Sequence, residues 1–333
     1  MAYFKQLHTP LSLAPVPFHI NVDGTAGTGK SFLIWAISTA LHDLYGDELG
    51  DRDPVVRLAP TGVSAFGIRG WTINFGLAIP VKEGKEFGQL SKNALNRHQT
   101  RWKDAKLLIL DEKSMVGAAQ LGRIDRRMRQ AYPHHAEETL GGIPAIFFGD
   151  FAQLPPVGDS PIYSSRPSHR RSGLTAEGRN VFLSFNKSIT LSTVYRRAGK
   201  DAEQVAFRDA LLRLRTYSSN EEDYAHFSTR FWDNLSPEER AAYDDVLHLL
   251  PTRASVLELN KHRLAGIAKP VIRCKAKHNH PEAKKASDED AEGLEKEVLL
   301  AEGAKVMLTR NLWTSKGRQK FFLLSCFVDH SII

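Results

Sequence analysis

The stretch GTAGTGKS, Gly24 to Ser31, decides how the rest of the chain is read. It fits the pattern GxxxxGKS/T, with Gly24, Gly29, Lys30 and Ser31 at the fixed positions. Glycines let a loop curl with no Cβ in the way, so that backbone N–H groups point inward at phosphate oxygens. The loop formed by Gly24, Thr25, Ala26, Gly27, Thr28, Gly29, Lys30 and Ser31 is therefore a candidate phosphate cradle. Lys30 would add a cation for the β- and γ-phosphates, and the Ser31 hydroxyl could ligate Mg²⁺. Phe18, Ile20 and Val22 alternate before the loop as in a strand. Leu33, Ile34, Ile37, Leu41 and Leu44 recur after it at helical spacing, with Gly46 as the expected stop. Strand, glycine loop and helix suit an anion, because a helix N-terminus carries partial positive charge.

The chain has 333 residues, enough for about two domains. It is 42% hydrophobic and 25% charged, an ordinary globular composition. Its net charge of +7 permits a nucleic-acid partner without demanding one. Two cysteines, Cys274 and Cys326, form no disulfide framework or zinc ribbon pattern, so a reducing compartment is the default. Cys274, His278 and His280 lack an evident fourth ligand and are not read as a metal site. No apolar run reaches the roughly 18–20 residues of a membrane span, and no leader peptide is evident.

Further strands are expected at VVRLA (55–59), KLLIL (106–110), IPAIFF (143–148) and SITL (188–191). A short helix is expected over Val63 to Phe66, then an irregular stretch from Gly70 to about Arg101. KLLIL is continuously apolar, as in the middle of a parallel sheet. The helix after it sets Leu121, Ile124 and Met128 on one face. Arg123, Arg126, Arg127 and Arg129 fall largely on the other, which reads as a solvated face. Strands alternating with helices, with polar motifs at strand ends, describe an open doubly wound α/β sheet that binds ligand at its carboxyl edge. The pattern restarts near residue 200, where Asp201 with Gln204 and Ser236 with Glu239 are capping boxes. VLHLL (246–250), VIRC (271–274) and AKVMLT (304–309) are expected strands, with a helix over Val256 to Leu264.

Asp111-Glu112 follows KLLIL and is the natural partner of the glycine loop. One carboxylate can hold Mg²⁺, and its neighbour can orient or deprotonate water. In GDFAQLPPVG, Gly149 to Gly158, Gln153 lies just past a strand end, where it could report on a γ-phosphate, and Leu154-Pro155-Pro156 makes a rigid turn.

GTAGTGKS, APTGVSAFGIRGWTIN, LLILDEKSMV, FFGDFAQLPPVG and LSTVYRR, in this order, resemble the motifs of the petite-integration-frequency group of superfamily 1 DNA helicases. They look closest to the variants linked to Helitron-type elements, and the likeness runs more loosely through LLPTRASVLELN and GAKVMLTRNLW, covering about residues 18–313. The resemblance implies a P-loop NTPase with two RecA-like lobes that uses ATP and Mg²⁺ to translocate 5′→3′ on single-stranded DNA. By position it implies Ser31 and Asp111 for the metal, Glu112 as catalytic base, and Gln153 as γ-phosphate sensor. Arg196 matches the arginine presented to the γ-phosphate, although Arg197 stands where the family more often has Gln. A guanidinium suits charge that develops in the transition state. Thr61, Trp71, Thr72 and Asn74 match the strand-holding region, with Asn74 in the place of a usual His, and Thr252 and Asn260 match a DNA-facing segment of the second lobe.

The implied organisation is an irregular lead-in (1–17), a first lobe (18–190, with an insert at about 75–105), a second lobe (191–313) and a divergent tail (314–333). Three departures stand out. Residues 1–17 hold no clear adenine-reading glutamine motif. Lys113 replaces an apolar residue beside the metal. The match is lost after Trp313, where a truncated or misread end would leave the second lobe incomplete. The implied partners are single-stranded DNA and tailed duplex DNA, without a membrane. The implied working unit is a monomer in the nucleus, with the mitochondrion as second compartment. The other readings are a helicase remnant that binds ATP or DNA without unwinding, and a P-loop kinase. A kinase needs neither the GDFAQLPPVG loop nor a second lobe.

Overall fold

The computed structural model describes residues 16–50, 52–80, 87–165, 173–195, 201–243, 246–278, 280–281, 296–307 and 323–325. The chain divides into two compact units, Met1–Arg215 and Thr216–Ile333.

The first unit is built on six parallel strands: β1 (His19–Gly24), β2 (Val55–Ala59), β3 (Trp71–Thr72), β4 (Leu107–Leu110), β5 (Ala145–Gly149) and β6 (Lys187–Leu191). Their order is β3-β2-β4-β5-β1-β6. Asp23 pairs with Gly149, Leu58 with Leu110, and Leu58 with Trp71. That register brings the glycine loop, Thr61, Asp111 and Asp150 to one edge of the sheet, the carboxyl edge.

Alternation along the strands separates two apolar layers. Leu107 and Ile109 face a layer with Val22, Phe148 and the buried stripe Ile34, Leu41, Tyr45 and Leu49 of α1 (Lys30–Leu49). Leu108 and Leu110 face the other layer, with Phe147 and with Leu121, Ile124 and Met128 of α5 (Ala118–Ala131). The three leucines and one isoleucine of β4 are fully buried, each worth about 1.5–3 kcal/mol over exposure. Helices cover both faces of a parallel sheet, which is the doubly wound, RecA-like P-loop arrangement expected. Between β2 and β4 the chain forms α2 (Gly62–Gly67), α3 (Ile73–Gly76) and α4 (Lys92–Trp102). After β5 come α6 (Gly173–Leu183) and α7 (Ala202–Arg215).

Several sequence expectations change. α1 passes through Gly46 and ends at Gly50, whose φ of 58° suits glycine. The helix continues because Tyr45 and Leu49 still find the core. The stretch to Arg101 is not irregular: α4 buries His98 and Trp102, and the Trp102 indole donates to the Gly76 carbonyl at 3.1 Å. The arginines of α5 are not a solvated face. Arg127 is 3% exposed and lies over the Phe87 ring, and its guanidinium donates to the Gly88 carbonyl at 3.0 Å. Arg126 forms a two-pronged pair with Glu177 of α6, and Arg129 pairs with Asp125. Phe87, Gly88 and Glu177 lie far from α5 in sequence, so helical periodicity did not disclose them, whereas Asp125 is an i,i+4 partner of Arg129 on α5 itself.

In the second unit, α8 (Glu221–Ser228), α9 (Pro237–Ala242) and α10 (Arg253–Gly266) are followed by two antiparallel pairs. These are β7 (Val271–Lys275) with β8 (Glu297–Ala301), and β9 (Lys305–Met307) with β10 (Leu323–Ser325). Ser236 and Glu239 form the expected capping box, and a second joins Asn220 and Asp223. At the start of α7 the Gln204 N–H donates to Asp201 at 2.9 Å. VLHLL is not a strand: Leu247 and Leu249 are 69% and 90% exposed, with no neighbouring strand among the described residues to pair with it. Among the described residues no helix is long and apolar enough to cross a membrane.

Candidate active site

The glycine loop leaves β1 at Gly24 and enters α1 at Lys30. A side chain at Gly24 would collide with the Thr28 hydroxyl, and Gly27 and Gly29 adopt φ of 86° and 87°, which glycine takes without strain. Thr28 is buried and its hydroxyl donates to the Thr25 carbonyl at 2.9 Å. The Tyr195 N–H donates to the Gly27 carbonyl at 2.8 Å, tying the exit of β6 to the loop. The Lys30 ammonium folds back on the loop, donating to the Gly24 carbonyl at 2.7 Å and the Thr25 carbonyl at 3.0 Å. No side chain caps the N-terminus of α1, and Ser31 is exposed in its first turn. Uncapped helix amides, a lysine held by neutral carbonyls and an exposed hydroxyl together fit a phosphate with its metal.

Asp111 is 6% exposed. Burial pushes its carboxyl up to about 6, against the stabilising hydrogen bond from the Glu112 N–H at 2.9 Å and the Lys30 charge. A carboxylate so placed is short of a cation, which fits a divalent metal held with Ser31. The sign for stability follows. The folded value lies above the unfolded one, so this group's contribution is fully present below about pH 4 and is lost as pH rises through about 6. Without metal, Asp111→Asn is therefore expected to be more stable than the parent at pH 7 by on the order of 2 kcal/mol, with the gap narrowed by about half at pH 5. Thermal melts in chelator at the two pH values check this.

Glu112 adopts φ 52° and ψ 46°, a left-handed conformation that costs a non-glycine residue on the order of 1–3 kcal/mol. Lys113, next in the chain, is fully buried, and burial pulls its ammonium below the usual lysine range. The charge expected beside the metal is instead turned toward β1, where it pairs with Asp23 at 2.7 Å.

Asp150, 2% exposed, organises the next loop. Its carboxylate accepts from the Ala152 N–H at 3.1 Å and the Gln153 amide at 3.2 Å, and pairs with Arg215 at 2.5 Å. Gln153 itself is exposed. Arg215, missed in the sequence, stands at the end of α7, and with Arg208, Thr25, Ala26 and Ala152 it lines a small cavity beside the glycine loop. Only its distance from Asp150 in sequence hid it. Arg215→Ala would leave a buried carboxylate short of its cation, and we expect a loss of about 1–3 kcal/mol in denaturant unfolding. Arg196 lies outside the described residues.

At the far strands of the same edge, Thr61 caps α2, accepting from the Ser64 N–H at 3.2 Å. Thr72 caps α3 through the Phe75 N–H at 3.4 Å. Asn74 donates to the Ile79 and Pro80 carbonyls at 3.2 and 3.3 Å, so its amide holds its own loop. Trp71 stays 43% exposed and stacks on Phe75, 58% exposed, with ring centroids 5.0 Å apart and planes 22° from parallel. The Arg101 guanidinium lies 5.5 Å and 5.4 Å from those two rings. Phe75 stands four residues after Trp71, across the junction of β3 and α3. Arg101 carried no signal in the sequence. In the second unit, Thr252 caps α10, accepting from the Ser255 N–H at 3.1 Å, and Asn260 is exposed on that helix.

Comparison with known proteins agrees with this geometry. Residues 14–224 match the family model described as PIF1-like helicase. The chain is 31% identical over 321 residues to the ATP-dependent DNA helicase PIF1 of Saccharomyces cerevisiae, covering 92% of this chain and 34% of the yeast protein. It is similar in structure to the Pif1 helicase of Candida albicans, with a TM-score of 0.63, 25% identity, and coverage of 91% of this chain and 63% of that one. The fold is also that of a Bacteroides Pif1 helicase crystallised with ADP-AlF3 and single-stranded DNA, with a TM-score of 0.57, 20% identity, and coverage of 98% and 70%. The chain spans about a third of the length of the curated relatives it matches. With the family model spanning well over half of the chain and the phosphate loop, paired carboxylates and Asp150–Gln153 loop gathered on one sheet edge, the chain belongs to the PIF1-like helicase family.

Proposed function

We propose that the chain is an ATP-dependent DNA helicase that couples ATP hydrolysis to 5′→3′ movement on single-stranded DNA, in repair, recombination or replication. The observation that carries this reading is the exposed Trp71–Phe75 stack with Arg101 on the same sheet edge as the phosphate loop. Stacked rings accept any base face and a guanidinium suits the phosphates, so the platform fits a strand held without regard to sequence. In the first unit Thr61, Thr72 and Asn74 would hold the strand by their loops and helix ends, and in the second unit Thr252 and Asn260 are separate candidates for DNA contact.

In this reading Lys30 and the loop amides bind the phosphates. Ser31 and Asp111 would hold Mg²⁺, which would offset phosphate charge. Glu112 accepts the proton of the attacking water, Gln153 senses the γ-phosphate, and Arg196 stabilises the transition state. The working unit is a monomer on single-stranded or 5′-tailed duplex DNA, placed in the nucleus and secondarily in mitochondria. A fluorescent fusion tests the placement, and sedimentation on DNA tests the monomer.

The deciding experiment measures ATP hydrolysis by the purified chain with and without single-stranded DNA, alongside strand separation on a 5′-tailed duplex. DNA-stimulated hydrolysis with unwinding supports the helicase. Stimulated hydrolysis without unwinding would favour a remnant, a reading that the exposed VLHLL segment and the antiparallel strand pairs of the second unit favour. Absence of DNA stimulation would count against both.

A further inference from the structure

Lys113 directly follows the two carboxylates of the site and is completely buried. Its ammonium has three protons and three acceptors: Asp23 Oδ1 at 2.7 Å, Asn21 Oδ1 at 2.5 Å and the Val22 carbonyl at 3.2 Å. The Asn21 amide donates onward to Asp23 Oδ2 at 3.2 Å, closing the network. The Phe151 ring lies 4.8 Å from the ammonium.

All three acceptors are on the last residues of β1, which runs into Gly24. Lys113 itself follows β4. Those strands are not neighbours, since β5 lies between them. The side chain therefore bridges across the end of β5, and Gly149 makes the room. A Cβ there would sit 2.8 Å from Lys113 Cγ and 2.9 Å from its backbone nitrogen. Sheet hydrogen bonds fix β1 to β5 and β5 to β4, while this side chain joins β1 to the Glu112 turn directly. The residue it adjoins is Glu112, whose backbone is held in the left-handed region.

We propose that Lys113 is a positioning residue, setting the spacing and orientation of Glu112 relative to the phosphate loop through its bridge to Asn21, Val22 and Asp23. This role rests on the ATPase reading above. Backbone strain at a functional turn persists only when the surroundings enforce it. Here the bridge acts beside the Glu112 N–H to Asp111 bond at 2.9 Å and the Met115 N–H to Glu112 carbonyl bond at 3.1 Å, and it alone ties the turn to β1 among the described contacts. The rate of a positioned proton transfer is sensitive to displacements of an ångström or less.

The test compares the full chain with K113M and with K113M/D23N, which also neutralises the carboxylate left behind. We expect kcat for ATP to fall about 10- to 100-fold in both, with KM and the affinity for a fluorescent ATP analogue within about twofold of the parent. Melting temperature should drop in K113M and recover in the double variant without recovery of kcat. Asp23→Asn alone keeps the lysine and loosens its anchor. It should show the same loss in kcat only, in smaller degree, and it provides the measurement if K113M does not fold. A double variant with parental kcat would overturn the proposal and leave the bridge a purely structural ion pair. A parallel loss of nucleotide affinity would also overturn it. A parent chain that hydrolyses no ATP is a different failure: it sinks the functional reading and the positioning role with it.

Discussion

Lys30→Ala is expected to abolish measurable ATP hydrolysis, by roughly 10²–10³-fold or more. Among the described residues the Lys30 ammonium donates to the carbonyls of Gly24 and Thr25, at 2.7 and 3.0 Å, inside its own loop. Neutral carbonyls are weak counterparts for a cation, so an arriving phosphate exchanges two charge–dipole contacts for charge–charge ones. Alanine removes the cation and leaves the loop's glycine geometry, since Gly27 and Gly29 set the curl and Thr28 closes it onto Thr25. The fold should therefore survive, because α1 is held to the core by the buried stripe Ile34, Leu41, Tyr45 and Leu49. Phosphate release and a melting curve on the same preparation check both halves. A parental rate in Lys30→Ala would mean the phosphate loop is misassigned.

The first unit was legible because its signals are local. GTAGTGKS, KLLIL and IPAIFF each combine a strand with a chemical motif at its end, and parallel pairing sets those ends side by side. What stayed hidden depends on contacts between residues far apart in the chain. Arg127 looks like one of four solvent arginines until Phe87 and the Gly88 carbonyl cover it. Arg215 looks like the tail of a polar helix until Asp150 is found 2.5 Å away. Lys113 looks like a charge beside the metal until its stem is seen crossing the end of β5 to reach Asp23. A sequence shows which groups are charged, and the pairing of buried charges is set by topology. VLHLL failed for the reverse reason. Its composition is that of a strand, but strand formation needs a partner edge, and Leu247 and Leu249 remain exposed.

Asn74 illustrates a different limit. By likeness it faces DNA, yet its amide donates to the Ile79 and Pro80 carbonyls, and the exposed surface nearby belongs to Trp71 and Phe75. A motif position tells where a residue falls along a path, not whether its side chain or its backbone makes the contact.

Glu112→Gln should separate binding from chemistry. Glutamine keeps the size and the hydrogen-bonding reach of the side chain but has no basicity, so a lost proton acceptor is the only large change. General-base removal costs typically about 10²–10⁴ in rate, and we expect kcat to fall within that range. In the proposed function the binding groups would lie elsewhere: Lys30 and the loop amides for phosphate, Asp111 and Ser31 for metal. Affinity for the ATP analogue should therefore stay within a factor of about three, and DNA affinity should hold because the Trp71–Phe75–Arg101 platform stands on β3 and its neighbours. The left-handed backbone at Glu112 is tolerated no better by glutamine than by glutamate, so the strain cancels in the comparison and melting temperatures should agree. The variant should then bind nucleotide and DNA together without turning over. Equilibrium titrations of each ligand, paired with single-turnover hydrolysis, read the three quantities separately. If hydrolysis persisted at the parental rate, another group would be taking the proton. Asp111, whose burial pushes its carboxyl up to about 6, is the group to examine next.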